Sequence, residues 1–201
     1  MAKCISCNKR KGKRNCPALG GLICAECCGT KRLVSINCTN NCVYLKEAQI
    51  YSIQRVEEKP VDFSRKQWDL FLIFEGLVYK FLQEFPNFTD EELLEVLTLL
   101  EKEYQTRKKN LFLPPLHPKS SRALKLKTLL EEEFARIGRE VNELGLPIFT
   151  LEDFIKVLSY EKERIEKYMQ ENRNAGNNLF LQVLRSEVEL IAMQRNKGAI
   201  K

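Results

Sequence analysis

From Val43 onward the apolar residues recur at helical spacing, and no stretch shows the alternation of a strand. A first helix is expected from Val43 to about Glu58, where Pro60 interrupts it. A second starts at Asp62 or Ser64 and reaches Phe85, with Pro86 as its stop. Its apolar positions, from Trp68 and Leu70 through Phe74, Val78 and Leu82, cover most of the circumference, which suits the centre of a bundle or a subunit interface. Thr89 followed by Glu92 forms a capping-box pattern ahead of a third helix, Asp90 to about Lys109. The run Leu113-Pro114-Pro115-Leu116-His117-Pro118 reads as a stiff extended connection.

Beyond it, Leu126, Leu130, Phe134, Ile137 and Val141 predict a helix from about Ser120 to Leu144, stopped by Gly145 and Pro147. Thr150 and Asp153 cap the next, which carries Phe154, Leu158, Ile165 and Met169. The polar run 172–178 is a loop, and a last helix covers about Leu179 to Arg195. Helices of this length with short connections predict a mainly α protein: a small cysteine module, 1–45, followed by an antiparallel helical bundle, 46–201.

Charge separates the same two regions. Residues 1–46 carry nine Lys or Arg against the single acid Glu26, whereas the remainder is slightly acidic within a chain of net charge +6. The stretch Trp68 to Phe85 contains Asp69, Glu75, Lys80 and Glu84, too many charges for a membrane span. With no apolar run ahead of the cysteines, a cytoplasmic protein without a membrane partner is expected.

The eight cysteines all lie between Cys4 and Cys42: Cys4, Cys7, Cys16, Cys24, Cys27, Cys28, Cys38 and Cys42. In a reducing compartment such a cluster serves metal; a disulfide framework is the alternative in an oxidising or hyperthermophilic cytosol. Tetrahedral zinc takes four thiolates, and a two-residue gap lets one tight turn present two sulfurs to one ion. Eight cysteines therefore supply two zinc sites. The knuckles Cys4-x2-Cys7 and Cys24-x2-Cys27 pair naturally, which leaves Cys16, Cys28, Cys38 and Cys42 for a second ion. The alternative puts Cys27 and Cys28 on the same ion. Either way the metals replace a hydrophobic core that so short a segment cannot build.

This interleaved spacing resembles the cross-brace zinc fingers of the RING, MYND and HIT type, without a histidine ligand and with one cysteine in the third position. The resemblance implies a zinc fold used for binding rather than ubiquitin-ligase activity. Cys16-Pro17-Ala18-Leu19-Gly20-Gly21-Leu22-Ile23-Cys24, Cys27-Cys28-Gly29-Thr30-Lys31-Arg32 and Cys42-Val43-Tyr44-Leu45 also look like an uncharacterised bacterial family with an N-terminal zinc segment and a helical remainder.

Two binding roles follow. A rigid zinc module and an apolar helix suit a non-enzymatic adaptor that recognises a protein partner and can self-associate. The loop residues Lys9, Arg10, Lys11, Lys13 and Arg14, with Lys31 and Arg32, instead suit phosphate contacts to nucleic acid. Part of that positive charge is expected to balance the metal–thiolate centres. The lone His117 lies in the proline-rich connection, and no nucleophile–base pair or phosphate-binding glycine loop stands out, so no enzyme activity is expected.

Overall fold

A computed structural model of the chain describes residues 2–39, 41–55, 61–171 and 178–196. It divides into two compact units, Met1–Glu57 with Tyr168–Leu179, and Glu58–Lys167 with Phe180–Lys201. The fold is mainly α, with seven helices and one two-stranded sheet among the described residues.

In the first unit, β1 (Arg14–Cys16) pairs antiparallel with β2 (Gly21–Ile23), Cys16 opposite Gly21. Gly20 closes the hairpin at φ +66°, a conformation that glycine adopts at no steric cost. Its amide donates to Cys16 O at 2.9 Å. Helix α1 (Ala25–Lys31) follows directly, and α2 (Val43–Arg55) begins one residue after Cys42. The buried cluster consists of Cys4, Cys16, Cys24, Cys27 and Cys28 with Ile23 and Ile36. Sulfur fills most of the space that leucine and phenylalanine would fill in a larger domain. The expected helix stop at Pro60 and most of the polar loop after Glu171 fall outside the described residues.

The second unit is built from α3 (Arg65–Glu84), α4 (Asp90–Lys108), α5 (Ser121–Ile137), α6 (Leu151–Glu171, whose last turn falls in the first unit) and α7 (Leu179–Asn196). Ser64 with Gln67, and Thr89 with Glu92, form the capping boxes that start α3 and α4. Leu70, Phe74, Val78, Leu93, Leu97, Leu100, Leu126, Leu130, Val157, Leu158 and Leu184 are buried in its core.

Helix direction is mixed rather than uniformly antiparallel. Lys108 pairs with Glu152 and Ser159 with Glu101, so α4 and α6 run in opposite directions. By contrast, Arg122 pairs with Glu92, Lys127 with Glu103, and Phe134 meets Tyr104, so α4 and α5 run parallel. The proline-rich segment explains the difference. Residues 109–120 run back along α4 as an extended strap: the Leu116 amide donates to Glu103 Oε1 at 2.8 Å and the Lys119 amide to Glu95 Oε1 at 3.3 Å.

Helix α5 is shorter than its sequence pattern predicts. It ends at Ile137, and the Asn142 side chain accepts the amides of Leu144 (2.9 Å) and Leu146 (3.0 Å) in a turn completed by Gly145 at φ +73°. Side-chain bonding to the local backbone outcompetes helix there, and Val141 is exposed instead of buried. Trp68, expected in the core, is 41% exposed and rests edge-on against Phe63 and Phe71. Exposed His117 lies in the strap, as its setting predicts. No helix among the described residues is long and apolar enough to cross a membrane.

Buried charges tie the helices of this unit. Arg164 on α6 donates to Glu75 on α3 (2.9 Å), Glu161 on α6 (3.0 Å) and Glu187 on α7 (2.8 Å). Burial and the neighbouring Glu161 push the Glu75 carboxyl up to about 8, against the pull of Arg164. Asp90 on α4 accepts the amides of Phe180 (3.0 Å) and Leu181 (3.1 Å), satisfying two donors at the start of α7.

Two outcomes are expected. Asp90→Ala removes the acceptor of those two buried amides and lowers stability to urea by about 1–3 kcal/mol; an unchanged urea midpoint would refute this capping role. A carboxyl whose folded pKa stands above its unfolded value binds more protons in the folded state. The Glu75 contribution to stability is therefore fully present below about pH 4.5 and is lost as pH rises through about 8. Glu75→Gln should flatten that slope in urea titrations run across this range, and parallel profiles for the two proteins would count against it.

Candidate metal centre

Four sulfurs converge in the first unit. The Sγ atoms of Cys4, Cys7, Cys24 and Cys27 all lie within 4.8 Å of one another. This is a set of donors able to hold a metal ion, built from two short chain turns. In the first, Asn8 at φ +53° folds the chain back so that its amide donates to Cys4 O at 2.8 Å and the Cys4 amide to Arg10 O at 2.8 Å. That turn aims the amides of Ser6 and Cys7 at the Cys4 sulfur, and those of Lys9 and Arg10 at the Cys7 sulfur. The second turn is the start of α1. Cys24 caps it, its Sγ accepting the Cys27 amide at 3.4 Å, and the first helical turn presents Cys27.

The electrostatics of the tetrad favour a cation. Burial opposes ionisation of Cys4, but the amides of Cys24, Cys7 and Ser6 outweigh it and hold the thiol down at about 6. The amides of Arg10 and Lys9 lower Cys7 as well. Cys27 moves the other way: its hydrogen bond with the Cys24 sulfur, burial and the nearby Cys7 push it up to about 12. Four thiolates this close repel one another, so all four ionise together only around a positive ion.

Among the described residues the tetrad is the one group of three or more such donors that close to one another, and the other four cysteines are gathered more loosely. Cys16, Cys28, Cys38 and Cys42 line one small cavity with Arg32 and Tyr44. Burial raises the Cys38 thiol, the Leu33 amide opposes it, and the nearby Cys42, Cys16 and Cys28 add to the rise. Neighbouring Cys27 and Cys28 therefore diverge from one backbone, Cys27 into the tetrad and Cys28 into this cavity. None of the eight cysteines is in a disulfide.

The basic residues separate into two groups. Lys9, Arg10, Lys11 and Lys13 are exposed, with Arg10 paired to Glu26 at 2.8 Å. Lys31 donates to Ser6 Oγ at 2.8 Å. Arg14 and Arg32 face the sulfurs. Arg14 lies over the Tyr44 ring at 4.9 Å and, with Arg32, favours the ionised form of Cys28, while Arg32 is buried with Nη2 3.7 Å from Cys28 Sγ. Sequence reasoning grouped these two with the phosphate candidates. The signal it passed over is the four-residue step from Cys28 on α1 to Arg32, the residue that ends this helix, a spacing that brings the two side chains within reach.

Removing one sulfur should dismantle the tetrad. Cobalt-loaded Cys24→Ser is expected to lose most of the thiolate-to-metal absorption of that site, and residues 2–45 to become protease-sensitive. The helices of the second unit keep their circular dichroism. A variant that retained the full absorption would show that Cys24 holds no metal.

Compared with protein-family models, with curated proteins and with solved structures, the chain matches none, so the family resemblances of its cysteine pattern rest on the residues themselves.

Proposed function

We propose that residues 1–45 form a zinc-stabilised recognition module, carried on the helical region 46–201, that binds a protein partner and performs no catalysis. The carrying observation is the convergence of Cys4, Cys7, Cys24 and Cys27 within 4.8 Å. An all-sulfur tetrahedral set favours zinc among common divalent ions and leaves no open position for a substrate. The cavity lined by Cys16, Cys28, Cys38 and Cys42 supports a second zinc, with ligands interleaved as in the cross-brace fingers that the spacing resembles.

The module exposes Ile5, Leu19 and Leu22 around its hairpin, and Val34 and Val43 beyond it. Apolar side chains held on a rigid scaffold favour a protein partner, because their ordering cost is met by the metal before binding. A cytoplasmic setting and self-association fit the same reading. Nucleic-acid binding through the exposed Lys9, Arg10, Lys11 and Lys13 is the second reading, favoured by the concentration of charge on one loop.

Retention on heparin and on random DNA separates them. For a protein-binding module, elution from DNA at low salt is expected to be nearly the same for wild type and for a variant with Lys9, Arg10, Lys11 and Lys13 changed to Gln. Nuclease-resistant capture of a partner should be lost in Ile5→Asp/Leu22→Asp. Retention that falls steeply with salt and collapses in the Gln variant would overturn the protein reading in favour of nucleic acid.

A further inference from the structure

The arginines that face the second cysteine quartet have no part in the reading above. A tetrathiolate zinc carries a net charge of about −2, which must be balanced where it is buried. In the first tetrad the Cys24 sulfur accepts the Cys27 amide at 3.4 Å, and the Arg10 guanidinium lies near the same cysteine. Beside the second quartet, Cys28 meets a side-chain cation, Arg32, whose Nη2 donates to its sulfur at 3.7 Å.

Arg32 is the buried cation of this unit among the described residues, 8% exposed, and its partner is the Cys28 sulfur at 3.7 Å. A buried guanidinium beside a neutral thiol would be uncompensated; beside a metal-bound thiolate it is paired. Arg14, on β1, lies over the Tyr44 ring 4.9 Å away, which places a second guanidinium beside this cavity. Tyr44 and Arg32 both line the cavity that the quartet surrounds.

We infer that Arg32, backed by Arg14, is an outer-sphere positioning residue of a second metal site formed by Cys16, Cys28, Cys38 and Cys42. This rests on the two-ion reading above. The arginines belong to the metal centre and not to a phosphate-binding surface. Because an outer-sphere donor orients its ligand and offsets the charge, its loss weakens metal affinity by about 10–100-fold.

The test is zinc stoichiometry and chelator competition on the full chain for wild type, Arg32→Met, Arg32→Lys and Arg14→Met, with zinc release followed against pH. Wild type is expected to hold two ions. Arg32→Met should give up one of them about 10–100-fold more readily and at higher pH, because protons compete better for Cys28 once the cation is gone. Arg32→Lys, which keeps the charge without the planar fork, should fall between the two, and Arg14→Met should show a smaller shift in the same direction. Two ions of unchanged affinity and pH profile in Arg32→Met would overturn this role for Arg32 and leave the two-ion reading standing. Loss of both ions together from Arg32→Met would overturn the site-selective assignment. A wild type that binds one ion would overturn the second site and this inference with it.

Discussion

Mutual repulsion among sulfurs is the constraint around which the first unit is organised. Its buried cluster is mostly cysteine, so the residues that would supply cohesion in an ordinary core are the ones that resist being brought together when ionised. Short turns and one helix start point peptide dipoles at Cys4, Cys7 and Cys24, and this aims each sulfur while lowering the cost of its charge. What hydrophobic burial does for a large domain, directed donors do in part for this small one, and its four converging sulfurs could hold a shared counter-ion.

The helical unit meets a related problem with a different solution. Its buried ionisable groups are paired within and across helices: Arg164 with carboxyl groups of α3, α7 and its own helix α6, Lys127 with Glu103 on α4 and Glu131 on its own helix, and Asp153 with Lys66. Such pairs add little net stability over an apolar core, but breaking one partner is costly. They select which helix faces which. Lys127 is 2% exposed and meets Glu103 at 3.0 Å, while Glu103 also receives the strap through Leu116. A helix rotated or shifted by one turn would bury those charges without partners.

Most helix boundaries were legible because they depend on local chemistry. The capping boxes at Ser64 and Thr89 start helices whatever the surroundings, and the prolines of the strap exclude helix in any context. The overextended α5 failed for the same local reason read too weakly: Asn142 and Gly145 build a turn that an apolar residue at 141 cannot override. Helix direction was not legible, since periodicity says which face is buried and nothing about whether a connection turns back or runs the length of its predecessor. Glu75 and Lys127 carried a signal that was overlooked. Both fall on the apolar stripe of their helices, beside Phe74 and Leu126, and a charge on a stripe has its partner on the facing helix. At the metal centre the cysteine tetrad followed from spacing. Arg32 was legible only through its four-residue step from Cys28, and Arg14 was not, because charge along a sequence carries no direction.

The strap along α4 has a consequence for how the chain reaches this arrangement. Parallel neighbours cannot close like a hairpin: α5 can dock on α4 only after residues 109–120 have been laid back to the start of α4. Until then α4 lacks the contacts that α5 makes with it at Glu92, Glu103 and Tyr104. During synthesis α4 leaves the ribosome well before this partner, with acidic residues in its first turn and basic residues in its last.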